Sequence, residues 1–383
     1  MMIYFDNAST SLLKPNRVGA AVSAAIHSFG NASRGLSAPS RLASAAIDKA
    51  RSNIARLIGL NNPLNIAFLG SGTEALNLVI GGLISPSDSV ISSHLEHNAV
   101  LRPLYLSKAN LSFLSCDKHG NVDIDSFDKV VKKDTKFLVC THGSNVTGSI
   151  VDAKALYKKC KAHGITMILD ICQTLGTVEV DMDMADIFCF TGHKGLFGTQ
   201  GIGGIIIKED KHDFKVLKTG GAGFNSYDKL HASKMPDIFE VGTINAHGLA
   251  GLNAGLEFIF EVGIDEIEKR EWQLTKAFYD GIKGISGVKV YGDFETGVHK
   301  KRLPIVSINI DGMTAGELGT RLESEYDIVT RASIHCAPLM HKFFGTDKAE
   351  WDGMVRCSFS YFNTMGEVGL AINAIKEIAK NAD

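Results

Sequence analysis

Two residues able to do carbonyl chemistry stand at the ends of short apolar runs. Asp170 closes Ile165-Thr166-Met167-Ile168-Leu169-Asp170, and Lys194 lies in Phe190-Thr191-Gly192-His193-Lys194. Ligands of open α/β sheets bind at the carboxyl ends of strands, which is where both residues fall. A lysine amine can form an imine with a carbonyl, and a carboxylate can keep a ring nitrogen protonated so that the ring accepts electrons. Pyridoxal phosphate needs that pair. Alone, a strand-end Asp is an ordinary cap or turn residue and Gly-His-Lys an ordinary surface loop. Their occurrence together, with Gln173 and Thr191-Gly192-His193 around them, describes one site.

A phosphate cradle is placed upstream. Gly70-Ser71-Gly72-Thr73-Glu74-Ala75 follows an apolar run and opens a helical pattern. Its backbone N–H groups and the Thr73 hydroxyl can therefore face an anion at the positive end of a helix. No Gly-Lys-Ser/Thr follows, so this is neither a Walker loop nor a dinucleotide fingerprint.

The seven cysteines, at 116, 140, 160, 172, 189, 336 and 357, contain no C-x-x-C pair. Neither a disulfide framework nor a zinc site is the natural reading, and a reducing cytoplasm is the expected compartment. Cys336 stands apart in the polar segment Thr330-Arg331-Ala332-Ser333-Ile334-His335-Cys336-Ala337-Pro338, where Arg331 and His335 can favour a reactive thiolate. Cys140, Cys172 and Cys189 sit in or beside apolar runs and read as small core residues, and Cys357 lies in a strand-like run.

Around these residues, apolar runs alternate with helical patterns, the signature of βα units on a mostly parallel sheet. Strands are expected at 65–69, 89–91, 112–114, 136–140, 166–169, 187–190 and 202–207, with helices at 74–82, 98–107, 123–131 and 152–162. After Thr243 the pattern changes to long helices at 248–260 and 264–281, strands near 288–291 and 305–309, and a closing helix at 367–379. The expected architecture is a large domain over 16–245 and a smaller α+β domain made of 1–15 with 246–383, separated by a cleft. A chain of 383 residues, 45% hydrophobic and 21% charged, buries such cores without disulfide or metal support. Its net charge of -2 offers no basic face for nucleic acid, and no apolar stretch is long and uninterrupted enough to span a bilayer.

Taken in order, the motifs resemble the class V aminotransferase group of fold-type I pyridoxal-phosphate enzymes, and within it the cysteine desulfurases and selenocysteine lyases. The resemblance runs from Tyr4-Phe5-Asp6-Asn7-Ala8 to Val355-Arg356-Cys357-Ser358. Between lie Gly72-Thr73-Glu74-Ala75, Glu96-His97-Asn98-Ala99, Ser144-Asn145-Val146-Thr147-Gly148, Asp170 with Gln173, His193-Lys194, Val241-Gly242-Thr243 and His335-Cys336-Ala337. It implies that Lys194 is the Schiff-base lysine, that Asp170 pairs with the ring nitrogen and that Gln173 bonds the ring hydroxyl oxygen. His97, counted with Lys194 and Cys336 among the catalytic groups, would stack on the ring. Gly72, Thr73, Thr191 and His193 would hold the phosphate. Asn145 would lie beside the ring and the substrate carboxylate, Arg331 would join it, and Arg356 would pair with that carboxylate bidentately. Gly242-Thr243 would reach the phosphate of a neighbouring subunit, implying a homodimer with shared sites.

The implied reaction takes L-cysteine to L-alanine, with Lys194 moving the Cα proton and Cys336 receiving sulfur as a persulfide for an acceptor protein. The sequence departs from the desulfurase Arg-x-Gly-His-His-Cys-Ala pattern at Ser333 and Ile334, which bears on partner and on cysteine against selenocysteine. Selenocysteine lyase is the nearest alternative, and a non-enzymatic pyridoxal-phosphate-binding scaffold or regulator is an alternative of another class. His94-Leu95-Glu96-His97 lacks the H-E-x-x-H spacing of a metal hydrolase.

Overall fold

The computed structural model describes residues 2–32, 35–221, 227–294 and 302–381. The parts of the expected domains at 1, 33–34, 222–226, 295–301 and 382–383 lie outside the described residues.

A seven-stranded sheet forms the base of the site. Its spatial order is Ile66–Leu69, Gly203–Ile207, Ile187–Thr191, Thr166–Asp170, Thr135–Thr141, Ser89–Ser93, Asn110–Leu114. Gly203–Ile207 runs antiparallel to both neighbours, and the pairs from Ile187–Thr191 to Asn110–Leu114 are parallel. Central strands are covered on both faces, so they read as continuous apolar runs: Leu138, Val139, Ile168, Leu169, Phe188 and Phe190 are all fully buried. Each such side chain contributes about 1.5–3 kcal/mol relative to exposure.

A second sheet joins Val288–Tyr291, Ile305–Ile310 and Val355–Ser358 in antiparallel fashion. Helices Ile264–Ile282 and Met365–Lys380 pack over it, sharing a core of Phe278, Val306, Ile308, Val355 and Ile375. Residues near the N-terminus enter the same core through Ile3 and Phe5, and Ile3–Tyr4 pairs in parallel with Ile328–Val329.

Several elements differ from expectation. Helices Asn16–Ser28 and Ala38–Ile58 are present where none was expected. The second carries plain signals: Ser37 caps it, Pro39 sits in its first turn and Gly59 closes it in the left-handed region. Helix Ala315–Tyr326 was also missed, although Thr314 and Glu317 form a capping box. The helix expected at 123–131 shrinks to a 3-10 turn, Ile124–Ser126, and one α turn, Phe127–Val130. There the Asp123 carboxylate accepts from Asp125 N–H, and the Ser126 hydroxyl donates to the Asp123 carbonyl. Such local bonds compete with helix propagation. No described helix is long and apolar enough to cross a membrane.

Candidate active site

The carboxyl ends of the parallel strands converge on a pocket of about 520 Å³. It brings together Gly72, Thr73, His97, Asn145, Asp170, Gln173, Thr191, His193 and Lys194. Asp170 and Thr191 are the last residues of adjacent strands, and Lys194 follows three residues after Thr191. Strand pairing alone therefore sets the carboxylate beside the lysine.

The loop Gly70–Thr73 lies close against the sheet. A Cβ at Gly203 would come within 2.2 Å of the Ser71 carbonyl carbon, so only glycine lets the loop approach. Ser71 caps helix Gly72–Leu83 by accepting from Glu74 N–H at 3.1 Å, and the Glu74 carboxylate accepts from Gly70 N–H at 2.8 Å. The first N–H groups of the helix then have no intrahelical acceptor, which suits them to an anion. His193 lines the same pocket, and its Nδ1 is buried with no partner in the protein. An orphaned ring nitrogen and free helical N–H groups in one pocket fit a phosphate group.

His97 does two things. Its Nδ1 accepts from Ala99 N–H at 3.0 Å, capping helix Asn98–Ser107. The ring proton therefore sits on Nε2 when the ring is neutral. Burial lowers its pKa to about 4, so the ring is uncharged at neutral pH. Burial, above all, also lowers the pKa of Lys194; Cys172 and Asp170 act in the opposite direction, and Arg356 and Arg331 reinforce the lowering. A neutral Nζ is the form that attacks a carbonyl and takes a proton.

Gln173 donates from Nε2 to the Ala8 carbonyl at 3.0 Å. On the other side of Lys194 lies a second cavity, of about 370 Å³, lined by Lys194, Gln173, Glu271 and Ser360 among others. Glu271 Oε2 and Ser360 Oγ are buried without partners, and burial pushes the Glu271 carboxyl up to about 8.

Above the pocket, Arg356 is 2% exposed. Its guanidinium donates to Asp6 Oδ1 and Ser9 Oγ, each at 2.8 Å, and to the Asn145 carbonyl at 3.0 Å. Arg331 donates to Ser9 Oγ at 3.2 Å, and its Nη2 lies 4.0 Å from Cys336 Sγ. The cysteine loop is fixed from below: Asn98 N–H donates to the Cys336 carbonyl at 2.6 Å, and Asn145 Nδ2 to the His335 carbonyl at 2.7 Å. Ser333, His335 and Cys336 all adopt positive φ, at 85°, 53° and 58°. Non-glycine residues enter this region at a cost of roughly 1–2 kcal/mol each.

Two expectations are corrected. Cys172 is not wholly a core thiol: it is partly exposed and lines the pocket, with its N–H bonded to Asp170 Oδ1 at 2.9 Å. His335 supplies no charge to Cys336, since burial first and Arg356 next hold its pKa well below the ordinary value. Thr243, expected to serve a neighbouring subunit's site, borders a separate cavity of about 620 Å³ with Lys218, Glu240 and Val241. Cys140, Cys189 and Cys357 are buried, and burial raises the Cys357 thiol to about 12. Ser71, Thr141 and Cys172 are wall residues that sequence reasoning missed; Ser71 alone had a signal, as the cap of the helix at Gly72.

The family model for class-V aminotransferases matches residues 3–370. The chain belongs to the class-V aminotransferase family. Within reach of that family, the chain is 31% identical over 393 aligned residues to a probable cysteine desulfurase of Pyrococcus abyssi, covering 99% of this chain and 95% of the relative. A probable cysteine desulfurase of Methanothermobacter thermautotrophicus is 29% identical, with 98% and 94% covered. The solved apo structure of the cysteine desulfurase from Thermococcus onnurineus superposes with a TM-score of 0.91 at 31% identity, covering 99% of this chain and 95% of that one. The class-V fold accounts for the mostly parallel seven-stranded sheet and for a site at its carboxyl edge.

Proposed function

We propose that the chain is a pyridoxal-phosphate-dependent cysteine desulfurase, forming L-alanine from L-cysteine with a persulfide on Cys336. The observation that carries this reading is the anchoring of the Cys336 loop onto the residues that wall the pocket. A class-V enzyme that moved only amino groups would have no use for a thiol held there.

Lys194 would hold the cofactor covalently, Asp170 would meet its ring nitrogen, and Gly72, Thr73, Thr191 and His193 would hold its phosphate. When bound, the cofactor supplies an electron sink for carbanion chemistry at the substrate Cα. Lys194 Nζ, whose pKa burial lowers, takes and returns the Cα proton. Arg356, already oriented by Asp6 and Ser9, presents its guanidinium to the substrate carboxylate. Cys336 Sγ attacks the substrate sulfur: an S–S bond forms, the C–S bond breaks, and the carbon that loses sulfur is protonated to give alanine. Arg331 stands beside the thiolate.

Thr243 lies away from the pocket of its own chain, which supports a homodimer in which it serves the neighbouring site. An acceptor protein for the persulfide, a cytoplasmic setting, and division into lobes at about residues 15 and 245 complete the proposal. Selenocysteine lyase is the second reading, kept open by Ser333 and Ile334, where the sequence departs from the desulfurase motif.

The test is an assay of purified, cofactor-loaded protein with L-cysteine and a reductant, measuring alanine and sulfide together. Equal amounts of both, lost at least about a hundredfold in Cys336→Ala with the cofactor's absorbance intact, are the expected result. Alanine from selenocysteine alone makes the protein a lyase, and full activity in Cys336→Ala overturns the assignment of the thiol.

A further inference from the structure

Behind the cysteine loop runs a chain of three buried polar side chains to which the proposed reaction gives no role. His335 Nε2 lies 3.0 Å from the Arg331 carbonyl, His335 Nδ1 lies 3.2 Å from His341 Nε2, and His341 Nδ1 lies 2.9 Å from Thr346 Oγ1. The two rings stack at an interplanar angle of 22°. His335, His341 and Thr346 are all buried.

The direction of every proton in this chain follows from its one end that has no choice. A carbonyl only accepts, so His335 Nε2 must carry the hydrogen. Neutral His335 then offers Nδ1 as an acceptor, so His341 must donate from Nε2. Neutral His341 in turn accepts at Nδ1 from the Thr346 hydroxyl. The Arg331 carbonyl thereby selects the tautomer of His335, and His341 supplies the donor that this tautomer needs at Nδ1, as an outer partner does for a ligating or catalytic imidazole.

His335 also holds its backbone in the left-handed region immediately before Cys336, which does the same. Its carbonyl is held by Asn145 and its ring by the Arg331 carbonyl and His341. The same Arg331 carbonyl accepts from Arg356 N–H at 2.8 Å. One imidazole thus ties the thiol, the arginine beside it and the carboxylate-binding arginine into a single frame.

We propose that His341 is a positioning residue for the sulfur-accepting loop, acting through His335 to hold Cys336 and Arg331 in register over the pocket. The role given to Cys336 rests on the function proposed above, whereas the claim about loop geometry does not. His341 itself touches neither substrate nor cofactor.

The experiment compares cofactor-loaded parent protein with His341→Gln, His341→Leu and Thr346→Val. Hydrogen–deuterium exchange of the peptide spanning 331–337 reads the loop, and kcat and KM for L-cysteine read its consequence. Gln keeps an N–H donor at about the reach of the histidine Nε2, and Leu keeps bulk without a donor. His341→Gln is expected within about twofold of the parent in exchange and kcat. His341→Leu should exchange at least about fivefold faster across 331–337 and lose kcat about tenfold or more, with KM within about twofold and cofactor absorbance retained. Thr346→Val, which removes only the far donor, should move both in the same direction by about threefold, and it decides the matter if the Leu variant does not fold. Parent-like exchange in either Leu or Val, or a Gln variant as impaired as Leu, overturns the proposal. If the parent forms no alanine from cysteine, the functional reading fails, and the exchange comparison still tests the positioning.

Discussion

The Arg356 guanidinium lies 2.8 Å from the Asp6 carboxylate, joining two residues 350 positions apart in the sequence. The arginine is buried, and burial is the main influence lowering its pKa, with Asp6 opposing it. A lone ammonium cannot serve Asp6, Ser9 and the Asn145 carbonyl together and still offer a further N–H, as Arg356 does with its buried, unpartnered Nε. Arg356→Lys is therefore expected to raise KM for L-cysteine about tenfold or more and to lower stability by about 2–3 kcal/mol. Steady-state kinetics and urea denaturation of the same preparation check both.

Lys194→Ala should bind cofactor only reversibly. Borohydride reduction followed by peptide mapping is expected to fix the cofactor on the Lys194 peptide of the parent and on no peptide of the variant. Cofactor fixed elsewhere would remove Lys194 from its proposed role.

Ser333 holds φ at 85° because its carbonyl must meet Met354 N–H, at 3.2 Å, across a close approach to Gly353. A Cβ on Gly353 would sit 2.3 Å from the Ser333 carbonyl carbon, so the loop has no room to relax. Ser333→Gly relieves the strain at the cost of extra freedom in the unfolded chain, and a net gain of about 0.5–1 kcal/mol is expected in urea denaturation.

Glu271 gives a pH signature. Its folded pKa, raised by burial to about 8 from 4.5, means that its favourable contribution is present below pH 4.5 and lost as the pH rises through 8. Glu271→Gln keeps an acceptor for Tyr361 N–H, now 3.1 Å from Oε1, and abolishes the titration. The stability of the variant relative to the parent should climb between pH 5 and 8 and level off above about 9, by at most ~5 kcal/mol. A difference independent of pH would show that Glu271 is already ionised in the fold.

How much of this was legible beforehand depends on the range of the interaction. Asp170, Thr191 and Lys194 could be read because strand order places consecutive strand ends side by side, so that local pattern becomes three-dimensional position. The phosphate loop was readable for the same reason. Cys172 was misread because hydrophobic context gives no account of which way a thiol turns once its N–H bonds back to Asp170. The partners of Arg356, and the His335–His341–Thr346 chain, were not readable at all. They depend on loop φ values and on contacts that no periodicity encodes.

The segment near the N-terminus has a consequence for how the molecule is made. Ile3 pairs with Ile328, Asp6 with Arg356, and Ser9 with both Arg331 and Arg356. Residues 3–9 must therefore wait for partners some 320–350 positions later in the chain, roughly 16–70 s at ordinary elongation rates of roughly 5–20 residues per second. Until then the large sheet can close on its own short-range pairings, while the arginines and the thiol loop have nothing to lean on. The ribosome thus delivers the pocket-lining residues between 71 and 194 well before Arg331, Cys336 and Arg356, the residues that would handle substrate and sulfur under the proposed function.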